Sequence, residues 1–243
     1  MTARHGQPGP ELARVARWLS RSLRTMRPGA GVTCVYNPLN YAWEAHATYL
    51  AMARLRPRAL LLGMNPGPFG MVQTGVPFGE VEAVRAFLGI HRGVRVPRSQ
   101  HAKRPVTGFA CIRSEVSGRR FWGLMRDEFG TPARFFAAGF VWNWCPLAFM
   151  AASGANITPD KLSAGARASL ERTCDAALAR VVTALQPRMI IGVGAFARDA
   201  AVRALGRGLP VHMVLHPSPA SPAANRGWDR QARAQLRACG FLR

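Results

Sequence analysis

Acidic residues are what this chain most lacks. Twelve Asp and Glu stand against 33 Lys and Arg in 243 residues, a formal charge of +21. Such an imbalance says little about fold and much about partners, pointing to polyanions or acidic membrane surfaces. Arginine dominates the basic residues, and its planar fork suits phosphate oxygens. A coding bias toward Ala, Arg and Gly would explain the arginines but need not leave acids so scarce. Cysteine is sparse and scattered: Cys34, Cys111, Cys145, Cys174 and Cys239 are odd in number and form no CxxC pair. That argues against a disulfide framework and against a clustered zinc or iron–sulfur site, and it fits a cytosolic compartment. No stretch has the apolar length that spans a bilayer, and the N-terminus lacks the apolar centre of a signal peptide. Also missing are GxxxxGK[ST], GxSxG and HExxH, and Gly192-Val-Gly194 is only a fragment of a dinucleotide pattern, read more economically as a tight turn. His212 and His216 find no third metal ligand, and His212 reads as a core or surface residue.

What is present is a hydrophobic content of 49%, enough for one substantial core. The expectation is one domain over residues 10–243 after a disordered tail at 1–9. Four short apolar runs read as strands buried on both faces: Arg58–Gly63, Gly139–Asn143, Met189–Val193 and Val211–Leu215. Helical patterns lie among them. One spans Glu11 to about Met26 before Pro28-Gly29, and a second carries Trp43, His46, Tyr49 and Leu50. A long one follows a Thr158-Pro159 cap through Leu170, Leu178 and Leu185 to Gln186-Pro187, and another covers Ala195 to Leu205. Strands alternating with helices predict an α/β fold, a three-layer α/β/α arrangement around a central, mainly parallel, four-stranded sheet.

Two basic segments admit more than one reading. Arg17–Arg27 could lie on a membrane or on DNA, though an ordinary terminal helix is the simpler account. His91–Arg104 reads as an exposed loop, either cradling a phosphate backbone or merely solvated. The ends of the strands are more telling. Asn65 follows the first run, Asn143 ends the second and His216 follows the fourth. Open α/β sheets bind ligands beyond the carboxyl ends of their strands, so three distant polar residues converge on one place.

Three stretches carry a likeness to a known family. GMNPGPFGMVQTGVPFGEV (residues 63–81), NWCPLAFM (143–150) and HPSPASPAANRGW (216–228), with YNPLNYAWEAH (36–46) before them, resemble the single-strand-selective monofunctional uracil-DNA glycosylases of the uracil-DNA glycosylase superfamily. The likeness runs from near residue 36 almost to the C-terminus. It implies cleavage of the N–C1′ bond of deoxyuridine in DNA, leaving an abasic site with the backbone intact. It implies uracil, 5-hydroxymethyluracil and related oxidised pyrimidines as substrates, in single- and double-stranded DNA, and no cofactor. By the same likeness Asn65 positions the attacking water and His216 stands near uracil O2. Asn143 reads the base, Phe78 stacks on it, and Gly67 and Met71 leave room near C5. Ala223, Ala224, Asn225 and Arg226 would form the wedge that replaces the flipped base, with Gln73, Thr74 and Ser218 touching the DNA backbone.

The residue types suit that chemistry on their own terms. Uracil leaves as an anion, and a preformed donor near O2 lowers the barrier. A neutral imidazole N–H at His216 would serve. An amide such as Asn65 is no strong base, but it can orient a water by accepting its hydrogen bond. Asn143 offers an acceptor for N3–H and donors for O4, whereas cytosine would leave those buried groups mismatched. Reaching the base requires taking it out of the stack. The partners expected are therefore DNA holding uracil or modified uracil, with no membrane and no metal, for a monomer in a bacterial cytoplasm or a eukaryotic nucleus. The rival readings are a superfamily member acting mainly on xanthine or mismatches, and a non-catalytic basic nucleic-acid-binding module.

Overall fold

The computed structural model of the protein describes residues 7–243. In chain order its elements are α1 (Gly9–Ser22), β1 (Cys34–Tyr36), α2 (Pro38–Tyr41), α3 (Trp43–Ala51), β2 (Ala59–Gly63), α4 (Met71–Thr74), α5 (Val81–Ala86), α6 (Val116–Phe129) and α7 (Pro132–Ala138). There follow β3 (Gly139–Asn143), β4 (Ala148–Met150), β5 (Asn156–Ile157), α8 (Ala164–Leu185), β6 (Met189–Val193), α9 (Ala195–Leu205), β7 (Val211–Val214), α10 (Pro222–Asn225) and α11 (Trp228–Ala238).

The four apolar runs form one sheet in the order β3-β2-β6-β7, parallel throughout. Every residue of β2 and β3 is buried, as expected of strands covered on both faces. A second sheet, antiparallel and ordered β1-β4-β5, was not expected from the sequence. The fold is thus α/β with parallel and antiparallel strands. Helices α9 and α7 pack beside β6 and β3, while α1 lies against α3 and α8.

Several boundaries differ from the sequence reading. The tail expected at 1–9 falls mainly on residues 1–6, outside the described residues, and Gly9 already opens α1. That helix ends at Ser22 rather than near Met26. Arg24 and Met26 donate to carbonyls three residues back, so the chain tightens while Leu23 turns inward. Its Leu12, Val15, Ala16 and Leu19 are buried, and Arg17 stacks 3.8 Å over Trp43, so α1 is an ordinary packed helix. The cap of the long helix is Ser163, whose Oγ accepts from Ala166 N–H; Thr158 instead stands before a separate 3-10 turn, Pro159–Lys161, that Pro159 opens. No helix of the described residues is long and apolar enough to cross a membrane.

Two attachments matter for the site. The ladder between β2 and β3 continues past the strands, with Trp144 N–H donating to Gly63 O at 2.9 Å and Cys145 N–H to Met64 O at 2.8 Å. At the other edge, α11 holds both backbone groups of Leu215. Its N–H donates to Gln235 Oε1 at 2.7 Å, and its carbonyl accepts from Trp228 Nε1 at 2.6 Å. Residue 216 therefore leaves the sheet in one defined direction.

Candidate active site

A cavity of about 420 Å³ opens at the carboxyl ends of the parallel strands. Asn65, Gly67, Phe78, Asn143, His216 and Ser218 all line it. Asn65 follows β2 in a turn stiffened by Pro66 and Pro68. Its Nδ2 donates at 3.4 Å to both Pro66 O and Leu147 O, long bonds that turn Oδ1 the other way as the free acceptor.

Asn143 ends β3 directly opposite Gly63 of β2. It is buried, and its Nδ2 lies 3.3 Å from Met71 Sδ, a weak acceptor. A Cβ at Gly63 would overlap Asn143 Oδ1 and press on the Phe78 ring. Phe78 itself has φ of +52°, a conformation costing a side chain about 1–2 kcal/mol. The strain is held by neighbours. Thr74 Oγ1 donates to Gly79 O at 2.8 Å, Trp122 Nε1 donates to Pro77 O at 3.1 Å, and Phe121 stacks on the ring at 4.6 Å and 15°. Phe121 covers one face of Phe78, and the ring also borders the cavity, 6.0 Å from His216.

His216 has a determined tautomer. Ser218 N–H donates to Nδ1 at 3.1 Å, so Nδ1 carries a lone pair and Nε2 carries the proton. Burial lowers the ring to about 4, because enclosing the charged form forfeits its hydration. The imidazole is therefore a neutral donor at physiological pH. Gly194, with φ of +92°, lets the end of β6 approach it; a Cβ there would stand 3.1 Å from His216 Cβ. The acid limb of kcat/KM due to this ring is expected near pH 4 instead of 6.5. A limb at 6 or higher would mean that burial does not depress the ring, whereas kcat/KM falling as pH rises through the ring's value would mean that it works charged.

A family model described as uracil DNA glycosylase superfamily matches residues 52–237. The single-strand selective monofunctional uracil DNA glycosylase of Bos taurus is 50% identical over 228 residues, covering 92% of this chain and 84% of that protein. The chain belongs to that glycosylase family. The Rattus norvegicus protein of the same name is 52% identical over 215 residues, covering 87% of this chain and 77% of its own. A crystal structure titled WT Pedobacter heparinus SMUG2 shares the fold with a TM-score of 0.66 at 17% identity, covering 94% of this chain and 97% of that one.

Within this glycosylase, several expected contact residues stand elsewhere. Gln73 and Thr74 are buried, at 1% and 0% exposure, and cannot touch a DNA backbone. Gln73 clamps a loop: Nε2 donates to Pro68 O and Pro105 O, while Oε1 accepts from Thr107 and Gly108 N–H. Thr74 Oγ1 ties its own turn. Ala224 is 1% exposed, in a short helix against the core, and so cannot enter a base stack. Ala223 is half-buried and Arg226 exposed on the surface. Asn225, though exposed, is a strut: Nδ2 donates to Pro219 O at 2.8 Å and Oδ1 accepts from Arg120 at 3.0 Å. Met71 lies behind Asn143, outside the lining of this cavity. Gly67 does line it, but a Cβ there would first overlap the carboxyl of Glu115.

Glu115, Asn156 and Arg113 also line the cavity and were not foreseen. Asn156 Nδ2 donates to Pro66 O at 3.1 Å, bracing the Asn65 turn from β5. Arg113 stacks 4.1 Å over Phe69, which also lines the cavity. The only sequence signal for Glu115 was its rarity, one of 12 acids. No motif marks it. Among the described residues, no three His, Cys, Asp or Glu side chains gather as a metal site.

Proposed function

We propose that the protein is a monofunctional uracil-DNA glycosylase that initiates base excision repair, on a three-layer α/β/α scaffold. The observation that carries this reading is the convergence of Asn65, Asn143, Phe78 and a neutral His216 Nε2–H on one cavity. The family membership supports it.

The flipped uracil stacks on Phe78, and the Asn143 amide pairs with its N3–H and O4. As the N1–C1′ bond breaks, its electron pair moves onto the base and spreads over O2 and N3. His216 Nε2–H meets that charge at O2. A neutral donor suits the task, since the buried ring need not be charged beforehand. The sugar, now short of electrons, is attacked at C1′ by a water that donates a hydrogen bond to Asn65 Oδ1 and is held by it. The water oxygen bonds to C1′, and one of its protons ends on the released uracil. Asn65 need only orient this water, because the cationic sugar supplies the reactivity.

Substrates include 5-hydroxymethyluracil and related C5-oxidised pyrimidines, in single- and double-stranded DNA. The surplus of positive charge draws in the phosphate backbone. Ser218, Ala223, Asn225 and Arg226 flank the opened base pair, with Ser218 and the exposed Pro219 of the same loop lining the cavity. The cavity is built by one chain, which supports a monomer at work on the DNA of a bacterial cytoplasm or a nucleus.

The test is direct. Purified protein is incubated with end-labelled oligonucleotides carrying uracil, 5-hydroxymethyluracil, xanthine or thymine, single- and double-stranded, and abasic sites are cleaved with alkali. Uracil and 5-hydroxymethyluracil strands are expected to be cut, and thymine strands to stay whole. No release of uracil from any strand would sink the reading.

A further inference from the structure

One ionisable group beside the cavity has no part in the steps above. Glu115 immediately precedes α6 and makes no capping bond to it. Among the described residues it is the only acidic side chain lining the cavity. Part of the residue meets solvent, but Oε2 is enclosed and has no hydrogen-bond partner. The carboxyl fills a hollow under the turn that follows Asn65. A Cβ at Gly67 or at Gly70 would overlap it, so both glycines make room for this one side chain. The N–H groups of Phe69 and Gly70 approach the carboxyl from the same turn and favour its anion. Burial acts in the opposite direction and more strongly, pushing it up to about 7.

The charged and titratable groups around it supply no counter-ion. Glu80, at the start of α5, adds repulsion. Arg113 is stacked on Phe69, Arg119 turns to Ser114, and Arg120 is held by Pro217 O and Asn225. His216, on the loop after β7, is neutral. A negative charge enclosed here would also face two further anions, the DNA phosphates and the departing uracil.

We propose that Glu115 is a positioning residue for the Asn65 turn and that it works in its neutral, protonated form. The carboxyl props the backbone from Gly67 to Gly70. Asn65, which orients the water, lies before that segment. Met71, which touches Asn143, lies after it. One enclosed carboxyl thereby sets the spacing between the water-orienting amide and the base-reading amide. Loss of its proton places a charge without a counter-ion under the turn, and the turn shifts to let in water. This rests on the glycosylase reading, so its test has one arm that needs no activity.

Glu115→Gln and Glu115→Ala are compared with the wild type in kcat/KM on uracil DNA from about pH 5 to 9 and in thermal melting over the same range. The wild type is expected to lose kcat/KM above about pH 7, following the carboxyl. Glu115→Gln keeps the shape without the charge. It should stay within about threefold of wild type at pH 6 and remain level into the alkaline range. Glu115→Ala empties the hollow and should lose roughly 100-fold at every pH, chiefly in kcat.

Melting supplies the second arm. A carboxyl raised in the folded state stabilises below its unfolded value of 4.5, and that stability is lost as pH rises through about 7. Glu115→Gln should therefore melt higher than wild type at pH 8.5 and level with it near pH 5, whether or not uracil is released. Superimposed melting curves at both pH values would overturn the proposal. So would a Glu115→Gln variant as inactive as Glu115→Ala while Glu115→Asp stays active, because a charged carboxylate would then be used in the chemistry. Absence of uracil release by the wild type, with the melting difference intact, would count against the glycosylase reading alone.

Discussion

Replacement of Asn65 by alanine will slow uracil release by roughly 10²- to 10³-fold in single-turnover kinetics. Affinity for undamaged DNA should stay within about twofold, because phosphate contacts carry non-specific binding. Asn65 Oδ1 is free because Nδ2 is engaged by two carbonyls. Alanine removes the only part of the side chain that can order a water and leaves the Pro66 turn, braced separately by Asn156, in place. His216→Ala should fall as far for a different reason, the loss of the Nε2–H aimed at the departing charge. Single-turnover rates and DNA affinities measured on the same preparation separate the two quantities. Weakened binding with unchanged turnover of bound substrate would contradict both roles.

A glycine that touches no substrate is expected to have the second large effect. Gly63→Ala should lower kcat/KM on uracil DNA by roughly 100-fold or more, since misplacing reacting groups by about 1 Å has that cost. The added methyl would overlap Asn143 Oδ1 and reach the Phe78 ring at 2.8 Å. Neither neighbour can yield freely. Asn143 is backed by Met71, and Phe78 is stacked on Phe121 with its backbone already strained. The overpacked floor should cost about 1–3 kcal/mol of stability, leaving a folded protein. The discriminating readout is base selection. Discrimination between uracil and cytosine strands should shrink in this variant, whereas it should hold in Asn65→Ala, where the reading amide is untouched. A Gly63→Ala enzyme with full activity would mean that Asn143 and Phe78 do not bind the base in the places they occupy here.

Legibility differed from element to element for physical reasons. Gly139–Asn143, Met189–Val193 and the helix at Ala195–Leu205 stand where the apolar runs and their flanking turns placed them. Buried parallel strands must be apolar on both faces, which leaves a local trace. The strand at Val211 stops at Val214 because Gln235, twenty residues on, takes the next N–H. The antiparallel sheet left no trace. Its strands have three, three and two residues, too few for a period, and Cys34 pairs with Met150 across the whole first half of the chain. Gln73 and Thr74 were misplaced because they sit inside a conspicuous motif. A four-residue helix has no periodicity to say which side faces inward. Glu115 escaped because it meets the Asn65 turn only in three dimensions.

The sequence by itself determined which chemical groups the site owns, namely two amides, an imidazole and a stacking ring at the ends of apolar runs, and the family to which they belong. Tertiary structure alone decided their working states. His216 donates from Nε2 because the N–H of Ser218 occupies Nδ1, and it stays neutral because distant segments exclude water from it. Asn65 presents an acceptor because Leu147 O lies 3.4 Å from its nitrogen. Glu115 is pushed up to about 7, above an ordinary carboxyl, because the turn carrying Gly67 and Gly70 closes over it. Residue identity is local, whereas protonation, tautomer and the direction of an amide are set by burial and by partners that only the folded chain brings together.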